Sequence, residues 1–224
     1  MHAVKERYEG RVKEIELYFC YLKAIDDILI NSEEKSRVNE EFFKILKANS
    51  LLMMYNLVES TVLGGLLKVY DELSVKSLGY KDVSEEIREI WFNFKFSKAY
   101  DKNAHFNSYK KVAHEIIEKI LANEKLVLDR KATDISGNLD AASIKEVCTR
   151  HGISYDESCG HGGAVLKDVK TKRNELAHGL ISYAECGRNY TLNELIKMKD
   201  DCIDFLNEIL RSFDEYMNTK GYVY

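Results

Sequence analysis

Apolar residues recur every three or four positions along most of the chain, which is the period of one face of an α-helix. Two long stretches carry this pattern, from Val4 to Ile30 and from Phe42 to about Leu73. Shorter amphipathic stretches follow at 84–94, 108–121, 141–150, 164–178 and 191–213. No stretch has a convincing strand pattern. The sequence therefore predicts an all-α fold, an antiparallel helical bundle with long helices.

Capping residues mark several of the predicted helix ends. Asp140 precedes the helix at 141–150, and Thr191 with Glu194 forms a T-x-x-E capping box before the last helix. Gly179 stands where a C-terminal cap belongs. Between about 130 and 163 the apolar period weakens, which predicts a loop-rich excursion before the helix at 164–178. Residues 155–163 hold three glycines and no apolar pattern, so we expect a mobile loop there.

Composition narrows the class of protein. The 224 residues are 45% hydrophobic and 31% charged, and none is proline, which favours helices. Two glycines inside the second helix, Gly64 and Gly65, each cost about 1 kcal/mol relative to alanine, which indicates that another backbone approaches closely or that the helix bends there. We expect close packing. No uninterrupted apolar run approaches the ~20 residues of a membrane span. We expect a single soluble domain over 1–224, located in the cytoplasm, with no signal peptide and no membrane contact.

Several features of the sequence give only a weak indication of a functional site. The net charge of -4 excludes a global attraction to nucleic acid, so any site for a polyanion must be local. A zinc site could use the residue types found at Cys148, His151, Cys159 and His161, but their spacing is not an established one. The other interpretation is that these are free thiols beside loop histidines. We expect no metal and no cofactor. The aromatic cluster from Trp91 to Phe96 is interpreted as core rather than as a base-stacking platform.

The residues best suited to catalysis lie between Lys167 and Gly179. This stretch holds four cations, Lys167, Lys170, Lys172 and Arg173, against two acids. Asn174 and His178 lie on one helical face, whereas Arg173 lies about 140° from His178, so a long side chain, a distorted helix or a second chain must complete a shared site. Histidine transfers protons near neutral pH and arginine matches a phosphate, a pair suited to metal-free cleavage of RNA.

Two interpretations of His178 stay open. A histidine before a C-capping glycine often only complements the helix dipole. If it is catalytic, one histidine cannot serve as base and acid at once, which favours a two-fold dimer.

The segment R-N-E-L-A-H-G at 173–179 resembles the R-N-x-x-x-H signature of the HEPN superfamily, many of whose members are metal-independent endoribonucleases. Y-N-L-V-E-S-T-V at 55–62 and D-I-S-G-N-L-D at 134–140 resemble one bacterial branch of these nucleases. The resemblance implies a HEPN-type bundle with Arg173 and His178 as the catalytic pair and Asn174 as the polar residue beside the arginine. Glu59 and Ser60 match earlier polar positions, and these two, with Lys170 and Lys172, are the candidates for substrate binding. Glu59, in an apolar helix, either orients Arg173 or anchors an N-terminal amide or a lysine elsewhere.

The resemblance further implies a homodimeric nuclease with a composite active site, acting as a toxin or phage-defence effector under an antitoxin or regulatory protein partner. HEPN toxins silenced by nucleotidylation carry a tyrosine two residues after the histidine, where this chain has Leu180, although Tyr183 is nearby. The sequence therefore predicts an endoribonuclease that cleaves single-stranded RNA by attack of the 2′-hydroxyl. The alternative is a non-catalytic HEPN-like dimer that binds RNA, a nucleotide or a protein partner.

Overall fold

The computed structural model describes residues 1–31, 39–97 and 106–224. These ranges contain eight α-helices and, apart from two isolated bridges, no β-structure. The helices are α1 His2–Asn31, α2 Glu40–Val75, α3 Glu85–Ser97, α4 Phe106–Leu121, α5 Ala141–Arg150, α6 Val165–Ala177, α7 Tyr183–Arg188 and α8 Leu192–Asn218. The predicted all-α fold is confirmed, and so are both long N-terminal helices.

Helix α2 is the centre of the core. It packs against α1, α6, α7 and α8, and its buried residues form one broad face that covers more than half of the helix circumference. At Gly65 a Cβ atom would lie 2.6 Å from the Phe213 ring, so α8 lies directly on α2 at this glycine. Close packing is therefore found at Gly65, although against a side chain rather than a backbone. At Gly64 the nearest atom to an added Cβ is Val4 Cγ1 at 3.5 Å, an ordinary contact.

Helix α2 also has the length and hydropathy of a membrane span, the one helix in the described ranges that does. Its most apolar window is 56% buried inside the protein. A core helix of a soluble protein passes the same test, since burial against other helices and burial in lipid both select apolar residues. The expectation drawn from uninterrupted apolar runs did not recognise this property of α2.

The predicted helix caps form, and one further cap escaped the sequence analysis. Asp140 accepts a hydrogen bond from the Ser143 amide at 2.9 Å, and Thr191 with Glu194 forms the complete capping box of α8. Ser182 and Glu185 form a second complete box at the start of α7. Six residues are too few to show a helical period, so this S-x-x-E motif was the one signal for α7.

The excursion at 130–163 is more structured than predicted. Besides α5 it contains two 3₁₀ helices, Arg130–Thr133 and Cys159–Gly163. Residues 155–163 have anchors that the glycines and the missing apolar pattern did not indicate, because the Asp156 amide donates to Glu208 Oε1 at 3.0 Å and His161 Nδ1 lies 2.8 Å from Asp201 Oδ1. The mobility expected for this loop stays a prediction. Gly163, at φ +67°, lets the backbone lie against Phe205, where a Cβ would approach the ring to 2.9 Å. The glycine serves close packing here.

The aromatic cluster is divided between core and surface. Trp91 and Phe94 are buried as expected, whereas Phe92 is 39% exposed and its ring lies 4.7 Å from that of Phe96. The helical period explains the division, since neighbouring residues on α3 face different directions.

Candidate functional site

The C-terminal end of α6 forms the candidate site. Leu166, Val169 and Leu176 are buried, which fixes α6 on the protein and leaves Arg173 and Asn174 on its partly exposed flank. Gly179, at φ +67°, ends the helix. The Gly179 amide donates to the Leu176 carbonyl at 3.2 Å and the Leu180 amide to the Glu175 carbonyl at 2.8 Å, which is the Schellman pattern.

Arg173 is held by three groups from distant parts of the chain or from α6 itself. Its Nη1 donates to the Asn174 Oδ1 at 2.8 Å and to the Gly137 carbonyl at 3.3 Å. Its guanidinium carbon lies 4.6 Å from the centre of the Tyr55 ring, a cation–π contact. The Nε and Nη2 groups make no hydrogen bond within the described residues, so one edge of the guanidinium is available to an anion.

Tyr55 and Asn138 support this arrangement. The buried Tyr55 hydroxyl accepts a hydrogen bond from the Leu139 amide at 3.2 Å, and burial raises its pKa. Asn174 Nδ2 donates to Asn138 Oδ1 at 2.8 Å. Sequence reasoning did not identify Tyr55, Gly137 or Asn138 as site residues. Their signal was that they belong to the segments 55–62 and 134–140, which resemble the HEPN branch.

His178 is exposed at the C-terminal cap of α6, and its ring makes no hydrogen bond within residues 1–31, 39–97 and 106–224. By helical geometry it lies about 7.5 Å further along the axis than Arg173. The two predicted catalytic side chains therefore share one helix end, and no hydrogen bond joins them in the described residues. An exposed imidazole with no partner is free to exchange protons with a substrate.

Two of the three lysines of the predicted basic patch are neutralised within the chain. Lys170 forms a close ion pair with Asp140, and Lys172 pairs with Glu175 at 2.9 Å. Partial burial alone would raise the pKa of Asp140, but the hydrogen bonds from Lys170 and Ser143 outweigh it and lower the pKa to about 2. Of the four predicted cations, only Lys167 and Arg173 have no acidic partner in the described part of the chain. Both substrate-binding candidates on α6, Lys170 and Lys172, are thus paired with carboxylates of the same chain.

Glu59 and Ser60 make no hydrogen bond to Arg173, and both have other partners within the described residues. Glu59 Oε1 is 3.4 Å from Arg130 Nη2, and the Ser60 hydroxyl donates to the Leu57 carbonyl at 3.1 Å. Neither role expected for Glu59 is seen in the described residues, because its partner is an arginine of the 3₁₀ helix Arg130–Thr133. Both residues line the α1–α2 groove, a surface cleft of about 420 Å³ bounded by Arg11, Ile15, Asn56, Leu63 and Arg130.

The zinc interpretation is not supported by the surroundings of the histidines. His151 is buried, its Nδ1 donates to the Val147 carbonyl at 2.7 Å, and its Nε2 accepts from the Tyr70 hydroxyl at 2.7 Å. Burial lowers the pKa of His151 to about 4. With both ring nitrogens occupied, His151 joins α2 to α5. Within the described ranges no three His, Cys, Asp or Glu side chains are grouped to hold a metal ion.

Comparison with known proteins identifies the family. The model of the MAE_28990-like HEPN family matches residues 4–222, which include every segment that meets around Arg173. Neither the curated proteins nor the solved structures give a significant match to the chain.

Proposed function

Since the chain belongs to the MAE_28990-like HEPN family, we propose that it is a metal-independent endoribonuclease that cleaves single-stranded RNA. Family membership by itself supports a role in RNA cleavage or nucleotide binding. The observation that carries the finer proposal is a fixed guanidinium with one unused edge on the same helix end as an unpartnered imidazole.

Arg173 binds the scissile phosphate in this proposal. Its stacking on Tyr55 and its bonds through Nη1 hold the guanidinium before substrate arrives, so little reorganisation is needed when charge develops. The free Nε and Nη2 groups match two phosphate oxygens. A permanent cation in this position stabilises the phosphorane that forms during attack.

His178 transfers the proton. As a general base it removes the proton of the 2′-hydroxyl, whose oxygen then attacks the adjacent phosphorus and expels the 5′-oxygen. The products are a 2′,3′-cyclic phosphate and a 5′-hydroxyl. The leaving oxygen needs an acid, and we assign that role to His178 of the second subunit of a homodimer.

The biological setting follows from the family resemblance alone. We propose a toxin or phage-defence effector controlled by an antitoxin or another regulatory protein. We assign Asn174 to the support of Arg173, because its side-chain oxygen accepts from Arg173 and its side-chain nitrogen donates to Asn138.

Cleavage of a labelled single-stranded RNA in excess EDTA tests the activity. We expect wild-type protein to produce 2′,3′-cyclic ends, and His178→Ala to lose at least about a hundredfold in rate while its melting temperature is unchanged. His114→Ala is the matched control, because His114 is another exposed helical histidine, 3.3 Å from Glu118 on α4. A folded His178→Ala protein with wild-type rates contradicts the proposal. Binding of RNA without any cleavage favours the non-catalytic alternative.

A further inference from the structure

The α1–α2 groove continues beyond its main cleft. A second cavity of about 190 Å³ lies further along the same two helices, and the two share Arg11, Ser60 and Leu63. Together they form one elongated depression. Its main part has the volume of a small-molecule pocket.

Three arginines border this groove. Arg7 and Arg11 are exposed and lie one helical turn apart on α1, so they project from the same face. Arg130 comes from the 3₁₀ helix Arg130–Thr133. Arg7 donates only to the Ala3 carbonyl at 3.1 Å, and Arg11 has no ion pair within the described residues. Arg130 has one long contact, the 3.4 Å pair with Glu59. None of these three arginines therefore has a short ion pair within the described residues.

The interior of the groove is chemically mixed. Ile15 and Leu57 give it an apolar floor, and Asn56, Glu14 and Glu59 add hydrogen-bonding groups, mainly acceptors. An apolar floor suits the face of a nucleobase, amide and carboxylate oxygens suit the N–H groups on its edge, and arginines suit phosphates. Bases in a duplex are stacked and paired, so only a single strand could use all three features.

The groove lies next to the candidate site. Glu59 follows Tyr55 by one turn, about 6 Å along α2, and Arg173 rests on the Tyr55 ring. One segment also borders both places, since Arg130 lines the groove while the Gly137 carbonyl and Asn138 hold Arg173 and Asn174. A strand bound in the groove would thus lead to the Arg173 guanidinium.

We propose that the α1–α2 groove binds the nucleotides of single-stranded RNA that adjoin the scissile phosphate, with Arg7, Arg11 and Arg130 on their phosphates. This inference rests on the proposed nuclease function for its direction toward Arg173. The binding of single-stranded RNA in the groove is a separate claim and is tested without cleavage.

The experiment measures binding of a fluorescently labelled ten-nucleotide RNA by anisotropy, with His178→Ala in every protein so that the RNA stays intact. The variant is Arg7→Gln with Arg11→Gln. The control is Lys110→Gln with Lys111→Gln, which removes the same charge from an exposed face of α4. We expect the groove variant to weaken binding about tenfold. The slope of log K against log salt should fall by about 0.7 for each lost phosphate contact, as for single strands. The control should bind as its parent.

A second variant, Arg130→Gln, changes the opposite wall and keeps the test independent of α1. We expect it to weaken binding as well. Equal RNA binding by the groove and control variants contradicts the proposal that RNA binds in the α1–α2 groove. If both bind as their parent, the arginines make no contribution, and if both bind equally weakly, only the total charge of the protein matters. If the groove variants bind weakly but protein with native His178 never cleaves RNA, the nuclease function fails while the groove stands. If wild-type protein cleaves RNA and the groove variants bind RNA normally, the nuclease function is supported and RNA binding in the groove is contradicted.

Discussion

Lys172 and Arg173 are neighbours on α6, yet their charges are used differently. Lys172 is satisfied by Glu175 three residues away, a contact within one helix. Arg173 instead contacts a tyrosine ring from α2 and a carbonyl from the segment before α5. A flat, delocalised guanidinium can stack, donate from one nitrogen and keep its other donors free. The site therefore depends on the chemistry of arginine and not only on its charge.

Replacing Arg173 by lysine tests this dependence. An ammonium group cannot hold Asn174 and Gly137 and still present two donors to a phosphate. We expect kcat/KM for RNA cleavage to fall at least about a hundredfold, near 2.7 kcal/mol of transition-state stabilisation. Lys167→Arg is the reverse exchange on the same helix and should have wild-type kinetics, since Lys167 is exposed and contacts none of these groups. Equal rates for Arg173 and Arg173→Lys would mean that any cation suffices.

At the scale of elements, the end of α6 positions the histidine. The Schellman hydrogen bonds close the helix at His178 and require the left-handed conformation of Gly179, where an L-residue with a side chain is strained by roughly 1–2 kcal/mol. The turn therefore fixes the direction in which the chain, and with it the imidazole, leaves the helix.

Two glycine-to-alanine changes separate this effect from helix propensity. Gly179→Ala should lower the free energy of unfolding by about 1 kcal/mol and slow RNA cleavage. Gly10→Ala lies inside α1 with nothing within 4 Å of the added Cβ, and it should raise the free energy of unfolding by up to about 1 kcal/mol. Urea denaturation measures both. A stabilised Gly179→Ala protein would show that the turn is not strained by a side chain.

The elements differ in how far local sequence determined them. Long periodic stretches predicted α1 and α2 nearly to their ends, because burying an apolar face requires that period. Helix α7 was missed because it is too short for a period. The anchors of the loop at 155–163, Glu208 and Asp201, could not be foreseen because they lie on α8, some 40 residues or more away in the chain.

At the scale of the whole molecule, one chain holds only one His178, and within the described residues no hydrogen bond joins it to Arg173. Four cations from each subunit meeting at a two-fold axis would repel one another. Asp140 and Glu175 neutralise Lys170 and Lys172, which reduces that repulsion. Leu180, 77% exposed beside His178, adds apolar surface at the same place. These features support the proposed dimer, which stays a prediction.

A mixed dimer tests the composite site. Co-expression of differently tagged wild-type and His178→Ala chains, followed by two affinity steps, isolates the mixed species. If one histidine is the base and the other the acid, this dimer should retain less than about a tenth of wild-type activity. A wild-type and His114→Ala dimer prepared in the same way should be fully active. Half of the wild-type activity in the His178→Ala mixture would mean that each chain works alone.

The sequence alone determined the helical class, most helix ends and the residue types of the candidate pair, because helical period, caps and the Arg173–His178 spacing are local properties. The HEPN resemblance, based on short motifs, is confirmed by the family match over residues 4–222. Only the tertiary structure decided which charges remain free and which groups hold Arg173. Tyr55 and Gly137 lie far from Arg173 in the chain, the latter by 36 residues. No period or cap specifies such contacts, since they arise when the packing of α6 on α2 brings separate segments together.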